Sequence, residues 1–106
     1  MQTGTSGKAH PMSETAYYIL LSLTAPRHGY GVMRHVEALT GGRVSLGPGT
    51  LYGSLSKMEK DSLISLSAEE HNRRTYVITE TGRRALQCEI ARITELYLNA
   101  KEVMGQ

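Results

Sequence analysis

The sequence predicts a mainly α fold with a small β-hairpin: short helices first, then two strands, then one long helix. Three observations predict it. Apolar residues recur at helical spacing through roughly the first sixty positions, broken by Gly/Pro turns. The period then switches to alternation between Leu63 and Ile78. Finally, an apolar stripe spaced 4, 3, 4, 3, 4 runs from Leu86 to Met104. With 106 residues the chain holds one domain's worth of material and a modest core.

Met1 to Pro11 is rich in Gly, Ser and Thr and nearly devoid of apolar residues, so residues 1–11 are expected to form a disordered tail or remnant. Order is expected from Met12. Ser13 fits an N-cap, and Ala16, Ile19, Leu20 and Leu23 line one helical face. Ala25 to Gly29 ends that helix, because proline cannot continue it. A second helix is expected from Tyr30 to Thr40, facing inward with Val32 or Met33, Val36, and Leu39 or Ala38, and stopped by Gly41-Gly42. Pro48 suits a first helical position, so a third helix runs from about Pro48 to Lys60 and buries Leu51, Leu55 and Met58.

Leu63 to Ser67 and Arg73 to Ile78 then alternate as strands, and the polar stretch Ala68 to Asn72 reads as the loop between them. Thr79 to Gly82 leads into a final helix from about Gly82 to Val103. Three helices, a hairpin and a helix make a winged helix-turn-helix with a C-terminal extension. The expected division is a nucleic-acid-binding part over residues 12–81 and a dimerisation helix over residues 82–106.

Four blocks of sequence resemble PadR-type transcriptional regulators. Ile19-Leu20-Leu21-Ser22-Leu23 with His28-Gly29-Tyr30-Gly31 is similar to that family's opening helix and "HGY" turn. Pro48-Gly49-Thr50-Leu51-Tyr52 resembles its "PGTLY" recognition helix, and Asp61-Ser62-Leu63-Ile64 its "DGLI" exit. Arg73 to Arg83 resembles the wing's return strand and "LTExGR" junction. The match spans about Glu14 to Leu86, in the family's order. Two positions depart from the pattern. Gly47 stands where the family has a capping Ser, and Ser62 stands where it favours Gly. The resemblance implies a repressor that binds duplex DNA as a homodimer on a palindromic operator in the cytoplasm.

In a helix-turn-helix the N-terminal half of the second motif helix enters the major groove. With Leu51 and Leu55 turned inward, Gly49, Thr50, Tyr52, Gly53, Ser54 and Ser56 remain to face outward. Thr50, Tyr52 and Ser54 carry hydroxyls suited to phosphates or base edges, and Lys57 is a phosphate candidate one turn after Gly53. Tyr52 could instead be a core aromatic with a wet hydroxyl, and Lys57 a solvated surface lysine. His71, Arg73 and Arg74 make a basic wing tip that reads either as a phosphate clamp or as a charged hairpin blunting its edge. Tyr30 resembles a family tyrosine that reaches backbone phosphate; packing beneath the turn is the alternative.

The stripe Leu86, Ile90, Ile93, Tyr97, Ala100 and Met104 is an a/d seam expected to pair with a second copy rather than only with its own domain. By resemblance, Tyr17, Tyr18 and Leu21 of the first helix would meet the partner's last helix.

Other classes fit less well. The net charge is only +2, so charge alone does not indicate nucleic acid. No apolar run reaches the roughly 18 residues of a membrane span, and no signal-peptide pattern opens the chain. The single Cys88 excludes an internal disulfide and fits a reducing compartment. His10, His28, His35 and His71 are scattered, Cys88 has no ligand spacing around it, and the glycines lack the lysine of a phosphate loop. No enzyme, metal or cofactor is expected. Two alternatives remain: a winged helix that binds protein, and a ligand-sensing module with a small-molecule inducer in the dimer cavity.

Overall fold

The structure, a computed structural model, describes residues 11–105, so all but Pro11 of the expected tail, and His10 with it, lies outside the described residues. Helix α1 spans Glu14–Ser22, strand β1 Arg27–His28 and helix α2 Gly29–Leu39. Helix α3 spans Pro48–Lys60, strands β2 and β3 Ile64–Glu70 and Arg73–Ile78, and helix α4 Glu80–Met104. The strands form an antiparallel sheet in the order β1-β3-β2. This is the winged helix-turn-helix that the helical and alternating periods predict.

Local chemistry sets the helix starts. The Ser13 hydroxyl accepts the Ala16 amide at 3.0 Å, as expected of an N-cap. Helix α2 is capped by a histidine: Nδ1 of His28 accepts the Gly31 amide at 3.2 Å. Helix α3 begins from Gly47 without a side-chain cap, with Pro48 in its first turn. The Thr79 hydroxyl accepts the Gly82 amide at 3.0 Å and donates to the Ser62 carbonyl at 2.6 Å, tying the start of α4 to the exit of α3.

The core draws on every element except β1: Ile19, Leu20 and Leu23, Val32 and Val36, Leu51, Leu55 and Met58, Ile64, Tyr76, Ile78 and Leu86. Gly82 sits so close to the Leu63 carbonyl that a Cβ there would collide with backbone, and would lie 2.9 Å from Ile78 Cγ1. That approach lets the first turns of α4 settle onto the domain.

Several expectations need correction. The loop expected over Ala68 to Asn72 is a two-residue turn, and Ala68 to Glu70 belong to β2. His71 and Asn72 both have positive φ, 52° and 63°, the backbone of a tight hairpin turn whose twist matches its strands. A pairing shift between Leu66 and Ala68 absorbs one residue, and only Ile64 of β2 is buried, so the alternation there does not mark a core face. Leu39 and Ala38 are exposed, because the buried face of α2 is made by Gly29, Val32 and Val36, with Met33 packed beside it. Leu86 is 4% exposed and belongs to this chain's own core, so the seam available to another molecule starts after it. Its position in the first turns of α4, which lie against α1 and β3, accounts for that burial.

Candidate nucleic-acid interface

A groove of about 560 Å³ separates α3 from the wing. Its α3 wall carries Tyr52, Leu55 and Ser56; its wing wall carries His71, Asn72, Arg73, Arg74 and Tyr76. The first turn of α2 closes one end with His28, Gly29 and Tyr30. Five of the sequence-predicted contact residues therefore share one cleft: Tyr30, Tyr52, His71, Arg73 and Arg74.

Each has a local reason for its position. Leu51 and Leu55 are buried, which turns Tyr52 outward; it is 51% exposed, with its ring laid over Gly29. Tyr52 is thus neither a core residue nor a free one. Tyr30 is 56% exposed, so it does not pack beneath the turn, and Arg34 stands 5.7 Å from its ring centroid. The two wing arginines face different surroundings. Arg74 lies 4.0 Å from the Glu69 carboxylate and 6.0 Å from the Tyr76 ring centroid. Arg73 has no carboxylate within 4 Å among the described residues, and its Nη1 lies 3.4 Å from His28 Nε2.

The remaining predicted residues lie beyond the groove. Gly49 and Thr50 are exposed in the first turn of α3, and a Cβ on Gly49 or Gly53 would meet only open space. Ser54 is half-buried, because it sits on the flank between the inward leucines and the outer arc. Lys57 is exposed and pairs with Asp61 at 3.3 Å, a surface bond of small energetic weight. His28 and Arg34 are the neighbours of this site that the sequence reading did not single out. The signal for His28 was its place three residues before Gly31, the spacing of a capping side chain to its amide.

On the opposite side, Met12, Glu14, Tyr17, Tyr18, Glu89, Arg92 and Ile93 line a hollow of about 410 Å³ between α1 and α4. Tyr17 and Tyr18 meet edge to face with centroids 5.4 Å apart, and both, like Leu21, are half-buried against the core. Glu89 is buried and chelated by Arg92, with bonds of 3.0 and 2.6 Å that hold its carboxyl below the usual 4.5. Beyond Arg92 every described residue of α4 is exposed, including Ile93, Tyr97, Ala100 and Met104 of the stripe, with Leu96, Leu98 and Val103 beside them. Ile90, one turn earlier, is also exposed.

Among the described residues no helix is long and apolar enough to cross a membrane. The chain is 38% identical over 64 residues to an uncharacterised 37.1 kDa protein in transposon TN4556 of Streptomyces fradiae, covering 60% of this chain and 18% of that protein. It is 33% identical over 60 residues to the transcriptional regulator YqjI of Escherichia coli K12, covering 57% of this chain and 29% of that one. The chain thus spans less than a third of the length of these curated relatives. Its fold matches an X-ray structure of a PadR-like transcription factor from Bacteroides fragilis with a TM-score of 0.71 and 23% identity, over 93% of this chain and 95% of that one. The family model of the transcriptional regulator PadR-like family matches residues 18–88, which takes in α2, α3, the whole wing and the buried start of α4; the chain belongs to that family.

Proposed function

We propose that the chain binds duplex DNA as a homodimer and acts as a repressor on a palindromic operator, in the cytoplasm, without catalysis. The observation that carries this reading is the groove in which Tyr30, Tyr52, His71, Arg73 and Arg74 converge between α3 and the wing. In this reading the first two turns of α3 enter the major groove, and the open faces of Gly49 and Gly53 allow close approach. Thr50 and Tyr52 read base edges or grip phosphate, with Ser54 contributing from the flank, while Lys57 and the wing arginines hold the backbone. Residues 12–81 serve as the DNA-binding part and residues 82–106 as the dimerisation part.

The second copy is supported by the bare end of α4. A helical arm from Ile93 to Met104 is too short to be stable alone in water, and its exposed apolar residues gain by pairing. Ile90, Ile93, Tyr97, Ala100 and Met104 would meet their counterparts, with Tyr17, Tyr18 and Leu21 beside them. Two recognition helices related by a two-fold axis would read half-sites about one DNA turn apart. The hollow between α1 and α4 is where a small-molecule inducer would be sought, since dimerisation would close it further.

The test is the slope of log affinity against log salt for random duplex. A chain that neutralises phosphates gives a steep negative slope, and replacing Arg73 and Arg74 together by Ala should flatten it by about 0.9 for each phosphate the two arginines neutralise. A flat slope for the unmodified chain would instead favour a winged helix that binds protein. Base recognition is tested by Tyr52→Phe and Ser54→Ala, which should weaken a selected duplex more than a random one, on the order of 1 kcal/mol each.

A further inference from the structure

His28 takes part in two close approaches with incompatible proton demands. Its Nδ1 accepts the Gly31 amide at 3.2 Å, so that nitrogen carries a lone pair and the ring proton of the neutral side chain sits on Nε2. Arg73 Nη1, which can only donate, lies 3.4 Å from that same Nε2. The shorter bond closes the first turn of α2 between residues only three apart, so the capping tautomer is the one the fold selects. Two donors therefore point toward each other across the end of the groove with no acceptor between them. Among the described residues Arg73 has no carboxylate within 4 Å, and Glu70, its cross-strand neighbour, is not within that reach.

Two convergent N–H donors, one of them on an unpaired cation, suit a single anionic oxygen. We propose that His28 Nε2–H and the Arg73 guanidinium together seat one phosphate of the DNA backbone, making His28 a contact residue that links the first turn of α2 to the wing. The inference deepens the duplex-binding reading and rests on it. Tyr30 and Tyr52 line the same groove, so a strand held at this seat passes directly over the face of α3. The histidine brings a hydrogen bond and the arginine brings the charge. Only the arginine should release a counterion.

The experiment uses the full chain with His28→Asn, Arg73→Ala and the double variant. Asparagine keeps an acceptor for the Gly31 amide but lacks the distal N–H. His28→Asn should melt like the parent chain, bind random and selected duplex about tenfold more weakly, and leave the salt slope unchanged. Arg73→Ala should weaken binding and reduce the slope by about 0.9. Because both residues serve one phosphate, the double variant should lose less than the product of the two single losses.

A scan with single methylphosphonate linkages tests the parent chain without relying on any variant. One neutralised linkage per half-site should weaken the parent, and His28→Asn should be less sensitive at that linkage. Parental affinity for His28→Asn, losses that multiply, or no linkage whose effect depends on His28 would each overturn the seat while leaving duplex binding intact. Absence of salt-dependent duplex binding by the parent would overturn the duplex reading itself, and the seat with it. Saturable binding of inorganic phosphate at His28, beyond that of chloride at equal ionic strength, would assign the seat to free anions and overturn its assignment to DNA.

Discussion

The Tyr52 ring lies so close over Gly29 that a Cβ on the glycine would stand 2.6 Å from the tyrosine hydroxyl and 2.8 Å from two ring carbons. The third helix and the start of the second are thereby brought into register by a side chain and the absence of one. The clashing atoms belong to the far end of a half-exposed side chain, so the ring can swing away at little cost to the fold.

Gly29→Ala should therefore change stability by less than about 1 kcal/mol while displacing Tyr52 from its place in the groove. Duplex affinity should fall several-fold with the thermal midpoint nearly unchanged. A variant with parental affinity would show that Tyr52 works without this support.

Ser62 has φ of 64°, a left-handed backbone that costs a side-chain-bearing residue energy which glycine does not incur. Its carbonyl must stay in place to accept the Thr79 hydroxyl, so the chain cannot relax out of that conformation without loosening the start of α4. Ser62→Gly should raise stability by up to about 1 kcal/mol in urea unfolding, less what the freer unfolded chain takes back. An unchanged or lower midpoint would show that the serine is not strained.

Ile93 and Tyr97 are exposed in the single chain, so charging them should not harm its core. Ile93→Asp with Tyr97→Asp should give a monomer by sedimentation, and melting should lose its dependence on protein concentration. Helix content should also drop as the arm beyond Arg92 frays. A double variant that stays dimeric would remove this seam from the interface.

His35 sits in a polar chain inside the domain. The Ser22 hydroxyl donates to the Tyr18 carbonyl at 2.8 Å, so His35 Nδ1–H donates to Ser22 Oγ, also at 2.8 Å, while Arg27 Nε donates to the Ser22 carbonyl. Burial first, and the Arg27 charge second, lower the His35 pKa from 6.5. Below pH 6.5 the unfolded chain then binds more protons than the folded one, so stability declines as pH falls from 6.5 through the lower folded value. Glu89, lowered by Arg92, adds a second decline below its ordinary 4.5, as pH falls through its folded value. His35→Gln should remove the first decline in a series of melts against pH and leave the second. Identical profiles for variant and parent would exclude His35 as the source.

The helices were legible because their buried residues keep strict spacing: Leu51, Leu55 and Met58 point one way, and Tyr52 is left outside. Strand β1 was not, since two residues carry no period and Arg27 and His28 pair only because Tyr76 and Thr75 lie opposite. The wing loop was overestimated for a related reason. Ala68, Glu69 and Glu70 are polar or small because that part of β2 has water on both sides, and composition alone cannot separate an exposed strand from a loop. Leu86 was grouped with the outer stripe because a seam read along one helix does not reveal where the neighbouring helix stops covering it. The groove residues followed from motif and spacing, but the meeting of His28 with Arg73 joins positions far apart in the chain and needed the folded structure.

The two-residue turn at His71-Asn72 leaves the wing almost no slack. Its tip is joined through β3 to Tyr76 and Ile78 in the core, so Arg73 and Arg74 are held at the height the proposed duplex contact requires before any partner arrives. A longer loop would have to surrender its freedom on each encounter, an entropic loss repeated at every binding event. This hairpin has surrendered that freedom once, on folding. Lengthening the turn with flexible residues would therefore shorten the lifetime of a complex more than it slowed its formation, even with every side chain of the wing retained.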